Sequence, residues 1–166
     1  MQAARDIGDP PWMATAMSKE ELDTFLATEL ICVVGINRRG KAPLVFPMLF
    51  DWEGSRLRFT TYADSVKLPL MRRDLAISVL VESGTGRHSH RGVALEGQAE
   101  IVVDPRVAWE AREQISSRYP DGYLSPFPPA IEGWWSRDHV LVSLVPERIR
   151  SWDFSKMVSV AGPPGT

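Results

Sequence analysis

The stretch GVALEGQAEIVV, Gly92–Val103, decides the fold. Val93, Leu95, Gly97, Ala99 and Ile101 fall on one side of it, and Ala94, Glu96, Gln98 and Glu100 on the other. Apolar and polar residues alternating with a period of two mark an antiparallel strand with one face buried and one face wet.

Working upstream, Leu75 to Val81 reads as a neighbouring strand, joined by a loop from Glu82 to His90 that is rich in Gly and His. Ile31 to Ile36 is a short apolar run with β-branched residues, closed by the turn signal Asn37-Arg38-Arg39-Gly40. Pro43 to Asp51 reads as the next strand, Glu53-Gly54 as its turn, and Arg56 to Thr61 as a third strand. Short connections between these three predict an antiparallel meander. Downstream, Val140 to Val145 and Ile149 to Phe154 form a last strand or a bent strand pair.

Three helices punctuate the strands. Ser18 and Glu21 have capping-box spacing, followed by Leu22, Phe25, Leu26 and Leu30 at helical intervals, with an end near Thr28 or Glu29. Ser65 caps a second helix running to about Arg72, in which Pro69 at the fourth position removes about one backbone bond. Pro105 opens a third helix to about Arg118, with Val107, Ala111 and Ile115 on its apolar stripe. The segment from Tyr119 to Arg137 is irregular and carries Trp134 and Trp135. Six or seven strands in this order exclude a doubly wound parallel sheet. They predict a mainly β chain that curls into a small barrel, which removes exposed edges.

The 166 residues fit one domain, expected over 18–157, with an N-terminal arm over 1–17 and a tail over 158–166. A net charge of −2 argues against a nucleic-acid partner, whose footprint is broadly basic. Cys32 is the only cysteine, so no intrachain disulfide forms, and its apolar strand makes it a core residue rather than a nucleophile. No apolar run is long enough for a bilayer, and the first residues lack the pattern of a secretory signal. These features predict a cytoplasmic protein with no membrane partner.

The chemistry gathers in FTTYADSVK, Phe59–Lys67. Thr60 and Thr61 stand where a strand runs out, Ser65 stands at a helix start, and Lys67 lies in the first helical turn. Hydroxyls, an ammonium and outward-pointing amides together make a phosphate site. The competing reading is a capped helix with solvated basic residues. His88, His90 and His139 lack the companions of a metal site, and no P-loop, nucleophile elbow or dinucleotide fingerprint is present. Six tryptophans, including Trp152, fit either packing or a wall against a flat conjugated ligand.

The order of TTYADSVK, RRDLAISVLV and RGVALEGQAEIV, with VFPMLFDWEG before them and SWDFSKM after, resembles the split β-barrel flavoproteins related to pyridoxamine 5′-phosphate oxidase. Within them it is similar to the flavin/deazaflavin oxidoreductases. The resemblance spans roughly residues 18–157. It implies a six-stranded antiparallel split barrel that forms a homodimer with cofactor at the interface. The cofactor would be FMN or, alternatively, the deazaflavin coenzyme F420. The ring would lie against Phe46, Pro47 and Met48, with Thr60 and Thr61 beside it and Ser65 and Lys67 on the phosphate. Arg91 would approach from the fifth strand, with Trp152 and Lys156 on the far wall.

Two departures separate the chain from a true pyridoxamine phosphate oxidase: Val66 stands where those enzymes place an arginine, and Val45 where they carry a basic residue. The implied activity is hydride transfer between the cofactor and a small conjugated substrate, the rival being a flavin or tetrapyrrole carrier. A deazaflavin tail would call on Arg56, Arg58, Arg72 and Arg73. The loop Pro126–Trp135 would shape the substrate pocket.

Overall fold

The structure, a computed structural model, describes residues 14–86, 88–120 and 138–160. Trp134, Trp135, the Pro126–Trp135 loop and most of the arm and tail lie outside the described residues. The first helix, α1 (Lys19–Thr28), begins on the expected capping box. The Ser18 Oγ accepts from the Glu21 amide at 3.2 Å, and the Glu21 carboxylate accepts from the Ser18 amide at 2.7 Å. Leu22, Phe25 and Leu26 face the core. Burying each such side chain contributes about 1.5–3 kcal/mol.

Next come β1 (Ile31–Arg38), β2 (Lys41–Leu49), β3 (Asp51–Trp52) and β4 (Leu57–Tyr62). The helix α2 (Lys67–Arg73) precedes β5 (Ala76–Ser83) and β6 (Arg91–Val102). Then follow α3 (Pro105–Ser117), β7 (His139–Leu144), β8 (Arg148–Asp153) and α4 (Ser155–Val160). Gly40 closes the β1–β2 turn at φ 69°, a conformation that glycine adopts without strain.

The sheet has eight strands among the described residues, ordered β2-β1-β5-β6-β7-β4-β3, with β8 also on β6. All pairs are antiparallel. The long strand β6 builds the curl. Its first part pairs β5 on one edge and β8 on the other, and its last part, Ala99 to Val102, pairs β7. Gly97 marks the changeover. A Cβ there would lie 2.9 Å from Leu144, 3.0 Å from the Val145 carbonyl and 3.2 Å from the Glu147 amide, so the β7–β8 connection crosses directly over it. The result is a curled split barrel. Its core holds Leu26, Ile36, Phe50, Leu57, Phe59, Leu68, Met71, Leu95 and Leu144, all at most 1% exposed.

Several expectations are corrected. Among the described residues there are eight strands, against six or seven read from the residues and six implied by the resemblance, because the run from Pro43 to Asp51 breaks at Phe50. The last segment is the strand pair, one of its two readings. Phe50 is fully buried. Its amide donates to the Tyr119 hydroxyl at 3.2 Å, and its carbonyl accepts from Arg118. The end of α3 thus takes the place of a strand partner. The expected three-strand meander splits into two hairpins, β1–β2 and the short β3–β4 across the Glu53-Gly54 turn, and β4 takes β7 rather than β2 as its other neighbour. On α3 the buried stripe is Ala108, Ala111, Arg112 and Ile115, whereas Val107 is exposed. Two alanines let that helix approach Leu141 of β7 closely. In α2 the N-cap is Val66, without a side-chain cap, so Ser65 is not the cap. Pro69 is the third helical residue, where the amide has no intrahelical partner, so no bond is lost.

Candidate functional site

The hand-over from β4 to α2 is a tight turn. The Ser65 amide donates to the Tyr62 carbonyl at 3.0 Å, and the Leu68 amide to the Ser65 carbonyl at 3.3 Å. The Thr61 hydroxyl, almost buried, donates to the Ser65 hydroxyl at 3.1 Å. This turn fixes two hydroxyls beside Lys67. The Lys67 ammonium stands over the Phe46 ring, 4.7 Å from its centroid.

A cavity of about 260 Å³ opens here. Pro47 and Met48 of β2, Thr60 and Thr61 of β4, and Lys67 of α2 line it. Five of the expected cofactor residues therefore meet at one place, and Phe46 and Ser65 adjoin them through the contacts above. The far wall comes from residues that sequence reasoning missed: Tyr62, His139 of β7, and Arg112 and Ser116 of α3. Tyr62 and His139 are in ring contact at 4.7 Å. One signal was available for α3: Arg112 interrupts an otherwise apolar stripe, with Ser116 one turn further on.

The electrostatics favour an anion. Among the described residues, Lys67 forms no ion pair, and burial lowers its pKa from the usual lysine value. A half-buried cation without a counter-charge is costly, and a bound phosphate would relieve that cost. α2 has only seven residues, so the ammonium and hydroxyls contribute more here than its short dipole. The residues present thus fit the phosphate of a flavin-type group.

The remaining expected residues stand elsewhere. Arg91 lies over the Phe25 ring at 5.3 Å and lines a different cavity with Glu20, Glu21 and Asp153. Trp152 lies across Gly92, where an added Cβ would come within 2.3 Å of the indole. The Lys156 ammonium donates to the Glu21 carboxylate at 2.6 Å and to the Ala16 carbonyl at 2.8 Å, and that bond lowers the Glu21 pKa. Arg56 pairs with Glu100 at 3.0 Å. Arg58 is held by Asp51, Glu53 and Gln114, and the Asp51 hydrogen bond raises its pKa.

His90 pairs with Glu82 at 3.3 Å and contacts Trp152 and Phe154, so it does not meet His139. No cluster suited to a metal exists among the described residues. Cys32 is fully buried, and burial pushes its thiol up to about 12, which suits a core residue. No helix among the described residues is long and apolar enough to cross a membrane.

A curled antiparallel split barrel with a cationic, hydroxyl-lined cavity where a strand meets a helix places the chain in the class of small split barrels. The sequence profile of the pyridoxamine 5′-phosphate oxidase family matches residues 18–148, and the chain belongs to that family. A conserved hypothetical protein of Mycobacterium tuberculosis, Rv2991, is similar at 27% identity and a TM-score of 0.73, with 92% of each chain covered. An F420 reductase is similar at 26% identity and a TM-score of 0.59, over 76% of this chain and 94% of that one. An FAD-binding protein of Mesorhizobium loti shares the fold at 20% identity and a TM-score of 0.62, over 82% of this chain and 94% of that one. No curated protein matches the chain.

Proposed function

We propose that the protein is a homodimeric oxidoreductase that binds a flavin-type cofactor and passes a hydride between it and a small conjugated substrate. The observation that carries this reading is the meeting of Pro47, Met48, Thr60, Thr61 and Lys67 in one cavity. When bound, the cofactor itself supplies the hydride chemistry. The chain's own residues would do the rest. Lys67, Thr61 and Ser65 would hold the phosphate. The backbone from Phe46 to Met48 would support the ring, and Thr60 would flank it. Arg112 and His139 would face the substrate side. Position and electrostatics suffice for such a reaction without a side-chain nucleophile.

FMN is favoured over the deazaflavin coenzyme F420, because Arg56 and Arg58, two expected ligands of an anionic tail, are already paired. The relatives named as an F420 reductase and an FAD-binding protein support the cofactor class. The homodimer rests on size. A cavity of about 260 Å³ falls below the roughly 300–1,000 Å³ of typical ligand pockets, so a second copy would complete the wall. Arg91 and Trp152 are the residues it would bring.

The test is the absorbance spectrum of freshly purified protein, followed by titration of stripped protein with FMN and with coenzyme F420. Flavin bands, and their bleaching by a reduced nicotinamide or reduced deazaflavin with substrate turnover, are expected. Cofactor binding without turnover would define a carrier instead. A colourless protein with no spectral change on either titration refutes the reading.

A further inference from the structure

A second and larger groove, about 1140 Å³, runs between the β1–β2 turn and α2. It shares no lining residue with the cofactor cavity. Arg39, Lys41 and Arg73 are exposed along it, while Leu44 and Leu70 are half-buried and form its floor. Counting Arg38, four cations line the groove against one carboxylate, Asp74, in a chain whose net charge is −2.

Asp74 is turned to other work. Its carboxylate accepts from the Asn37 side chain at 3.1 Å and from the Ala76 amide at 3.0 Å. Among the described residues, Arg39, Lys41 and Arg73 form no ion pair. Gathering like charges without counter-charges raises the local potential and draws anions to it. Val66 adds an independent observation. It occupies the N-cap of α2, where Ser, Thr, Asp or Asn is favoured, makes no cap bond, and is 66% exposed at the groove. A local rule broken without a gain in the fold points to a role at the surface.

We infer that this groove binds an elongated organic anion. The ligand has an apolar body that covers Leu44, Val66 and Leu70, and at least two acidic groups that reach Arg39, Lys41 and Arg73. Neither part of the groove explains the other: cations alone need no apolar floor, and an apolar floor alone needs no cations. The groove shares no lining residue with the cofactor cavity, but Val66 and Arg73 are positions that the family resemblance ties to the cofactor's phosphate and tail. Lys67→Met, which removes charge from the cavity and not from the groove, therefore separates the two sites.

Three probes separate the contributions. A bis-anilinonaphthalene disulfonate carries an apolar body and two charges, tripolyphosphate carries charge alone, and N-phenyl-1-naphthylamine carries an apolar body alone. In fluorescence titrations of the full chain, the disulfonate binds saturably, one per chain. Rising salt weakens it, as exposed charges require. The variant Arg39→Gln/Lys41→Gln/Arg73→Gln weakens it by about tenfold or more, the scale of one or two charge-assisted contacts. Lys67→Met leaves it unchanged. Tripolyphosphate competes weakly, and the neutral amine shows no saturable binding.

Four results overturn the inference: no saturable disulfonate binding, equal affinity in the triple variant, loss of binding in Lys67→Met, or equal affinity for the neutral amine. A fifth does so as well. If sedimentation shows that the triple variant turns a dimer into a monomer, the groove is an interface between copies and not a ligand site.

Discussion

Replacing Lys67 with methionine tests the phosphate assignment most directly. Methionine keeps an unbranched stem of similar length, so packing against Phe46 survives and only the charge is lost. Charge-assisted hydrogen bonds contribute about 1.5–3 kcal/mol, which predicts a loss of FMN affinity of roughly 10- to 150-fold. Riboflavin lacks the phosphate and should bind the variant and the parent alike. Fluorescence quenching of the two ligands, measured side by side, gives the contrast.

The fold should tolerate the change. Losing the cation over the Phe46 ring costs about 0.5–1 kcal/mol, and relief of a half-buried charge offsets it. The melting temperature should therefore stay within about 4 °C of the parent. The offset depends on pH. Burial holds the Lys67 pKa below its ordinary 10.5, so the folded chain releases this proton at lower pH than the unfolded chain does. The burial cost is full at neutral pH and is relieved as pH rises through the folded value toward 10.5. The stability difference should drift in the parent's favour on moving from neutral to alkaline solution. Equal FMN affinity in variant and parent would refute the assignment. So would a riboflavin loss as large as the FMN loss, because the effect would then not come from the phosphate.

Two further substitutions test the frame that holds the site. Asp51→Asn strips the carboxylate from Arg58, whose pairing is bidentate and whose side chain is only 14% exposed. Glu53 and Gln114 remain as partners, so a loss of about 2–4 kcal/mol is expected in urea unfolding, and a loss below about 1 kcal/mol would contradict the burial argument. Gly97→Ala forces a methyl against the β7–β8 connection, where two of the three nearest atoms are backbone. It should lower stability by about 1–3 kcal/mol in the same assay, and an unchanged midpoint would mean that the crossing is looser than described.

Signals that act between chain neighbours were readable in the sequence. The alternation in Gly92–Val103, the Ser18–Glu21 box, the Gly40 turn and the core position of Cys32 each depend on residues within a few positions of one another. The turn beside Lys67 belongs to this group, because Thr61, Ser65 and Lys67 are brought together by six residues of chain. Apart from the Ser65 cap, Pro69 and Val107, which are local misreadings, the departures come from tertiary contacts. Phe50 leaves the strand because Tyr119, 69 residues away, takes its amide. β4 pairs β7 rather than β2, a contact between segments far apart in the chain. Arg58 looked like a free cation until Gln114 and Asp51 closed on it.

By itself, then, the sequence determined the antiparallel β class, the starts of α1 and α3 and the hydroxyl–lysine turn, since hydrogen-bonding geometry and side-chain period act locally. Only the tertiary structure decided which strands pair, and which face of α3 meets the cavity. It also decided which cations stay unpaired. Those outcomes follow from packing between segments that are distant along the chain, and no local pattern encodes the distance across which they meet.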